Sequence, residues 1–414
     1  MSDRRQSITI VGASLAGLRG AEALRKADFE GSITLIGDEA YPPYDRPPLS
    51  KQVLAGEWAE DRIQLVDAEK LTALNLDLRL GTRAAAFDLA TRQLTTIDQS
   101  EGSERVETID GLLLACGARP RTLPGTEDMA GVHTLRTNDD AAAIGAALDA
   151  GASRVAVIGA GFIGAEVAAT IRQKGVEVTL IESLAYPMAR VLGEDIGMLC
   201  GEIQTDHGVD LRCGVGVETI EGGGAANTVE RVILTDGTVI ETDLVVIGIG
   251  VIPNTEWLEG SGLNIDDGVV CDSTCLAEEG VTAAGDIARW YNRRFDEVMR
   301  VEHWENAADQ AGFAARRLLL DDSEAVSAQE YQPVPWFWSD QYDRKIQMAG
   351  RPRSTDHTML ATGSLDERRF AMIYGRDGKL TGVFGMNRPR HVMKYRMAID
   401  DGMSWDEAVA TVDK

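Results

Sequence analysis

Two glycine-rich hexapeptides hold the residues with the clearest chemical meaning in this chain. Gly12-Ala13-Ser14-Leu15-Ala16-Gly17 follows the apolar run Ser7–Val11, and Gly159-Ala160-Gly161-Phe162-Ile163-Gly164 follows Arg154–Ile158, 147 residues further on. Each turn is expected to join a strand to a helix whose free N–H groups and dipole hold the pyrophosphate of a dinucleotide. Each then runs into a second apolar strand, Ser32–Ile36 or Glu177–Ile181, and reaches an acid: Asp38 or Glu39 in the first copy, Glu182 in the second. A carboxylate at that place accepts from ribose hydroxyls. Glu182 would also repel a 2′-phosphate, which favours NADH over NADPH; Arg190 is the nearest cation. Ser14 replaces the middle glycine of the first turn, so the second turn matches the pattern better. One such turn can be a plain strand–helix connection. Two, each followed by an acid, point to two dinucleotides, naturally a bound flavin and a diffusible nicotinamide.

The elements that must position these turns are also repeated. Asp110 to Pro120 and Asp243 to Pro253 each read as an acid, an apolar strand, a glycine turn and a proline. Their spacing brackets the second dinucleotide unit, as if it were inserted within the first. Gly248 and Gly250 are expected to allow close approach of NAD. Gly280 to Asp286 reads as a further strand ending in an acid able to reach a ribitol hydroxyl.

Composition narrows the function. The 414 residues allow two to four domains, and 41 basic against 66 acidic side chains give a net charge of −25. Such a surface repels nucleic acid and anionic membranes. No uncharged apolar run reaches the ~18–20 residues of a membrane span. Nothing after Met1 resembles a signal peptide, so the protein is expected to be soluble and cytoplasmic. Five scattered cysteines (Cys116, Cys200, Cys213, Cys271, Cys275) imply no disulfide framework, and none lies in Pro42–Lys51 to take electrons from a flavin. No spacing suits zinc or an iron–sulfur cluster, so no metal is expected. The charge is uneven: residues 331–414 carry 13 basic and 11 acidic side chains, and Arg289, Arg293, Arg294 and Arg300 surround Trp290 and Tyr291.

Together, Gly12-x-Ser14-x-x-Gly17, Tyr44-Asp-Arg46-Pro-Pro-Leu-Ser-Lys51, Gly159-x-Gly161-x-x-Gly164-x-Glu166, Ala284-Gly-Asp286 and Trp336-Phe-Trp338-Ser-Asp-Gln341 span nearly the whole chain. The series resembles the FAD-dependent, NADH-linked ferredoxin reductases of bacterial oxygenase systems. That resemblance implies an α/β fold: two Rossmann-like dinucleotide-binding domains in the glutathione-reductase-like arrangement, plus a C-terminal α+β domain. The expected partition is an FAD domain at 1–112 and 248–325, an NAD domain at 113–247 and a C-terminal domain at 326–414.

The resemblance also implies roles for single residues. Ser14, Leu15 and Ala16 would meet the FAD pyrophosphate, Asp38 or Glu39 its adenosine ribose, and Asp286 its ribitol. Arg46, Arg83 and Arg136 would join the cofactor site, the last two on the adenine and phosphate side. Trp304 would stand at the pyrimidine end of the ring, and Trp338 would flank the flavin, unless it and Trp336 simply pack. Lys51 would lie beside the flavin and stabilise negative charge on the reduced ring; its plain alternative is a solvated helix cap. Glu166, placed in the first turn of the NAD helix, would contact the nicotinamide carboxamide or merely compensate the helix dipole. The implied activity is hydride transfer from NADH to FAD, then single-electron transfer to a two-iron ferredoxin serving a haem monooxygenase or a Rieske oxygenase. An NADH oxidase or rubredoxin reductase on the same scaffold is one alternative, and a redox-switch flavoprotein resembling apoptosis-inducing factor is another. Arg289, Arg293 and Arg294 are expected to guide an acidic ferredoxin.

Overall fold

The structure, a computed structural model, describes residues 5–225, 227–320 and 328–412. The expected domain boundary at 325/326 lies outside the described residues. The chain divides into two compact units, one of Met1–Asp45, Ile63–Arg119 and Ile252–Pro335, the other of Arg46–Arg62, Pro120–Val251 and Trp336–Lys414.

The first unit starts with β1 (Ser7–Val11), α1 (Leu15–Lys26) and β2 (Ser32–Ile36). β-Branched and apolar residues make both strands, and β1 is buried from Ile8 to Val11, as the centre of a parallel sheet requires. An antiparallel insert of Thr82–Asp88, Gln93–Asp98 and Glu104–Thr108 leads to β3 (Gly111–Leu114), parallel to β1. The domain edge expected at 112 falls inside this strand. Just before it, Asp110 accepts from the backbone N–H groups of Gln6 (2.6 Å) and Ser7 (3.2 Å), tying the start of β1 to the start of β3.

The second unit repeats the plan. β4 (Arg154–Ile158), α2 (Phe162–Gln173), β5 (Glu177–Glu182) and α3 (Glu194–Asp206) lead through another antiparallel insert to β6 (Leu244–Ile247). The sheet is parallel throughout, in the order Asp210–Cys213, β5, β4, β6, Val132–Thr134. Asp243 does here what Asp110 does in the first copy, accepting from the N–H groups of Ser153 and Arg154, both at 3.0 Å. The Arg154 guanidinium first, and these bonds after it, hold its carboxyl far below the ordinary range.

The chain then completes the first unit. β7 (Val281–Ala283) joins a six-stranded sheet ordered Leu276–Glu278, β7, β3, β1, β2, Asp77–Arg79. α4 (Trp304–Arg317) packs on α1 and buries Ala311, Ala314 and Ala315. Cys271 ends the strand Val269–Cys271, and Cys275 follows with φ 65°. Burial pushes the Cys271 thiol up to about 12.

The second unit ends in an antiparallel sheet of β8 (Trp336–Gln341), β9 (Arg344–Gly350), β10 (His357–Ser364), β11 (Arg369–Arg376) and β12 (Lys379–Met386), followed by α5 (Pro389–Asp400). Ile346, Met348, Phe370, Met372, Phe384 and Met386 of this sheet share one core with Leu192, Ile196, Cys200 and Ile203. That common core is why the C-terminal segment and the second dinucleotide repeat group together. Among the described residues no helix is long and apolar enough to cross a membrane.

Candidate active site

In the first turn, close approach explains the glycines. A Cβ on Gly12 would lie 2.2 Å from the Ala115 carbonyl oxygen, at a backbone φ of 118°, and one on Gly17 would lie 1.8 Å from the Gly12 oxygen. Helix α1 begins at Leu15, and Ser14, its N-cap, makes no side-chain cap bond, so the first-turn N–H groups lack that acceptor. Strand register decides where the acids stand. Val11 pairs with Ile36 as Ile158 pairs with Ile181, so the counterpart of Glu182 is Gly37, and Asp38 and Glu39 fall beyond it. A side chain at 37 would meet the Cβ of Ala13 at 2.6 Å. Asp38 is exposed, with its carbonyl accepting from Gln99 at 2.5 Å, whereas the Glu39 carboxylate accepts from the Tyr44 hydroxyl.

Other candidates of this unit spread along the same sheet and its flanks. Asp286 is buried in the short 3₁₀ turn Gly285–Ile287 at the end of β7, where the Gly285 N–H is held by Gln310 at 2.9 Å. The Trp304 indole donates to Asp45 at 2.6 Å, and Arg83 stands exposed on Thr82–Asp88.

In the expected basic area, most of the arginines stand beside acids. Arg289 pairs with Asp266 (2.5 Å), Arg293 with Glu330 (3.0 Å), and Arg300 with Asp267 (3.3 Å) and Glu302 (2.7 Å). Arg294 donates to the Gln332 carbonyl at 3.1 Å. Asp266, Asp267 and Glu330, distant in sequence, thus pair with Arg289, Arg300 and Arg293.

In the second unit, a Cβ on Gly159 would lie 2.3 Å from the Gly248 oxygen, and one on Gly164 would lie 1.9 Å from the Gly159 oxygen. Gly161 is the N-cap of α2, makes no side-chain cap bond, and has open space where a Cβ would stand. Glu182 is fixed by this turn: Oε2 accepts from the Ala160 N–H at 3.0 Å and Oε1 from the Leu184 N–H at 2.9 Å. Phe162 packs edge-on against Phe337 with ring centroids 4.5 Å apart, while Ile163 is exposed. Gly250 has φ 100°, and its carbonyl accepts from the Arg121 N–H at 2.9 Å.

Glu166 lies one turn deeper than expected, as the fifth residue of α2, and it is buried. Its Oε2 accepts from Lys51 Nζ at 2.8 Å and Ser50 Oγ at 2.5 Å; its Oε1 accepts from Ser339 Oγ at 2.8 Å and the Asp340 N–H at 3.2 Å. This geometry corrects both readings of Lys51 as a solvated cap and of Glu166 as a dipole partner at the helix start. Ser50 and Ser339 escaped the residue-by-residue reading, although both sit inside the motifs Arg46–Lys51 and Trp336–Gln341. Arg46 donates to the Arg136 carbonyl at 2.5 Å, and Trp338 stacks on Trp336 with centroids 5.4 Å apart.

Residues 6–311 match the family model of pyridine nucleotide-disulphide oxidoreductases, and residues 336–413 match that of the reductase C-terminal domain. Rhodocoxin reductase of Rhodococcus erythropolis is 38% identical over 392 residues, covering 94% of this chain and 88% of its own. The ferredoxin–NAD(+) reductase component of the anthranilate 1,2-dioxygenase system of Burkholderia cepacia is 36% identical over 95% of this chain and 94% of its own. The chain belongs to the ferredoxin reductases of oxygenase systems.

The solved covalent complex of putidaredoxin reductase with putidaredoxin superposes on this ferredoxin reductase with a TM-score of 0.90 at 32% identity, covering 100% of this chain and 97% of that one. The protein is thus an oxidoreductase with the glutathione-reductase-like fold and its C-terminal domain, and it uses FAD and NAD(H). Its residues fit those cofactors: two helices start without side-chain caps, and the cradle at Gly161 is open. The water-forming NADH oxidase of Lactobacillus brevis, 21% identical, shares the fold alone.

Proposed function

We propose that this ferredoxin reductase oxidises NADH in preference to NADPH and hands electrons singly to a two-iron ferredoxin, which feeds a haem monooxygenase or a Rieske oxygenase. The observation that carries the nucleotide preference is Glu182, a carboxylate aimed by two backbone N–H groups at the end of β5. When bound, FAD supplies the capacity to accept a hydride pair and release electrons one at a time. The chain's part is placement and electrostatics. Leu15 and Ala16, with Ser14, would present N–H groups to the FAD pyrophosphate, and Phe162 and Ile163 would do so for NAD. Glu39, oriented by Tyr44, or the exposed Asp38 would take the FAD ribose, and Asp286 its ribitol. Arg46, Arg83, Arg136, Trp304 and Trp338 would complete the FAD contacts, Gly248 and Gly250 those of NAD. Lys51 would supply the positive charge that favours the reduced ring. The domain partition given above is part of this reading.

Removing the carboxylate tests the preference. Glu182→Ala should raise KM for NADH by about 10–100-fold, the worth of one charge-assisted hydrogen bond, and narrow the gap to NADPH. Stopped-flow flavin reduction reads this directly, and equal rates for both nucleotides in the wild type would refute it. Cytochrome c reduction that needs added two-iron ferredoxin separates this activity from an NADH oxidase.

Arg289, Arg293 and Arg294 would guide an acidic ferredoxin, and helix α5 offers further positive charge for it. Residues 388–400 hold Arg388, Arg390, Lys394 and Arg396 against Asp400. Arg390 and Lys394 are exposed on the same face as Met393 and Met397, which are 38% and 65% exposed. Reversing both charges, Arg390→Glu with Lys394→Glu, should raise KM for ferredoxin about 10-fold at low salt and leave flavin reduction by NADH unchanged. The paired Arg293 and Arg294 should give a smaller effect. A loss that does not fade with added salt would argue against steering.

A further inference from the structure

We infer that Ser339, Gln341 and Gln204 are positioning residues for the Lys51 amine, acting through Glu166. On β8, Ser339 and Gln341 share the inner face, two residues apart, while Asp340 between them turns outward to Lys345 at 3.3 Å. Phe337, next on that inner face, packs as an apolar residue should. Packing alone would favour such residues at 339 and 341 too. Instead both positions are polar and buried, and so is Gln204 on α3.

The hydrogen bonds run in one direction. Tyr342 donates its hydroxyl to Gln204 Oε1 at 3.2 Å, and Gln204 Nε2 donates to Gln341 Oε1 at 3.0 Å. Gln341 Nε2 donates to Ser339 Oγ at 3.2 Å, and Ser339 donates to Glu166 Oε1 at 2.8 Å. These four bonds lead towards the carboxylate and each polarises the next, while Gln204 Nε2 also donates to the Ala165 carbonyl at 3.3 Å. With Oε1 occupied by Ser339 and the Asp340 N–H, only Oε2 is left to face Lys51 and Ser50. The side chains of Lys51 and Glu166 are 13% and 6% exposed, so the pair has little water to reorient it. The C-terminal sheet thereby fixes where a cation contributed by Arg46–Arg62 stands. The bearing of this on the flavin rests on the reading of Lys51 given above.

The test is Ser339→Ala in the FAD-loaded protein, with Ser339→Thr, Gln341→Leu and Lys51→Met beside it. Reductive methylation of Lys51, followed by peptide mass spectrometry, should quicken several-fold in Ser339→Ala, less in Gln341→Leu, and return to the wild-type rate in Ser339→Thr. The midpoint potential of the bound FAD should move negative in Lys51→Met and, by a smaller step, in Ser339→Ala. An unchanged methylation rate in both Ser339→Ala and Gln341→Leu overturns the inference. So does a potential that moves in Lys51→Met and stays fixed in Ser339→Ala. No movement in Lys51→Met overturns instead the placement of Lys51 at the flavin, while the methylation rates still decide whether the network positions the amine.

Discussion

Gly17→Ala should be recovered without its yellow FAD, whereas Gly164→Ala should keep the colour and lose NADH. The two substitutions place the same methyl group at the same place in each turn. In the first it would meet the Gly12 carbonyl oxygen at 1.8 Å, in the second the Gly159 oxygen at 1.9 Å. Neither obstacle is a flexible side-chain end, so the helix must back away from the strand that feeds it. That displacement carries the N–H groups of Leu15 and Ala16, or of Phe162 and Ile163, off the pyrophosphate they are to hold. A shift of about 1 Å in such a site commonly costs about 100-fold. Flavin absorbance per mole of purified protein reads the first variant, and the NADH dependence of flavin reduction reads the second. Retained FAD in Gly17→Ala, or lost FAD in Gly164→Ala, would reverse the assignment of the turns.

The fold was legible because its demands are local. A glycine that must touch the next strand, an apolar run on either side, and an acid just before each closing strand all lie within a few residues of one another. Asp110 and Asp243 show the limit of that reading. Their recurrence is visible in the sequence, but only the structure shows that each caps the start of a neighbouring strand. Sequence distance explains what stayed hidden at the site. Arg289 and Arg300 look cationic until Asp266 and Asp267 arrive from an earlier loop, and Glu330 reaches Arg293 from a later one. Glu166 meets Ser339 across 173 residues. No periodicity or spacing connects those two positions, because tertiary packing alone brings α2 to β8. The acid of the first repeat is a subtler case. The sequence offers Asp38 or Glu39, while strand register puts Gly37 at the place Glu182 fills, so either acid would have to reach a ribose from further along the chain.

Lys51→Met should lower stability more than Glu166→Gln, and combining them should recover most of the loss. In the single lysine variant the Glu166 carboxylate stays buried, keeping the Ser50 and Ser339 hydroxyls and the Asp340 N–H but no counter-charge. Removing one partner of a buried pair typically costs roughly 3–5 kcal/mol, much of it the desolvation of the charge left behind. Glutamine at 166 accepts from Ser339 and the Asp340 N–H as before, and the orphaned lysine at 51 is the more exposed partner, 13% against 6%. Its long stem can carry the amine towards water, so the cost falls mainly on the side that keeps the carboxylate. The double variant buries no unpaired charge, which is why it should unfold later than Lys51→Met. Thermal unfolding of the FAD-loaded proteins gives the order, and flavin reduction by NADH gives a second one. Stability should return in the double variant, but fast reduction should not, since the cation itself is still missing. If both returned together, the Lys51–Glu166 pair would be a structural clasp with no electrostatic part in the chemistry.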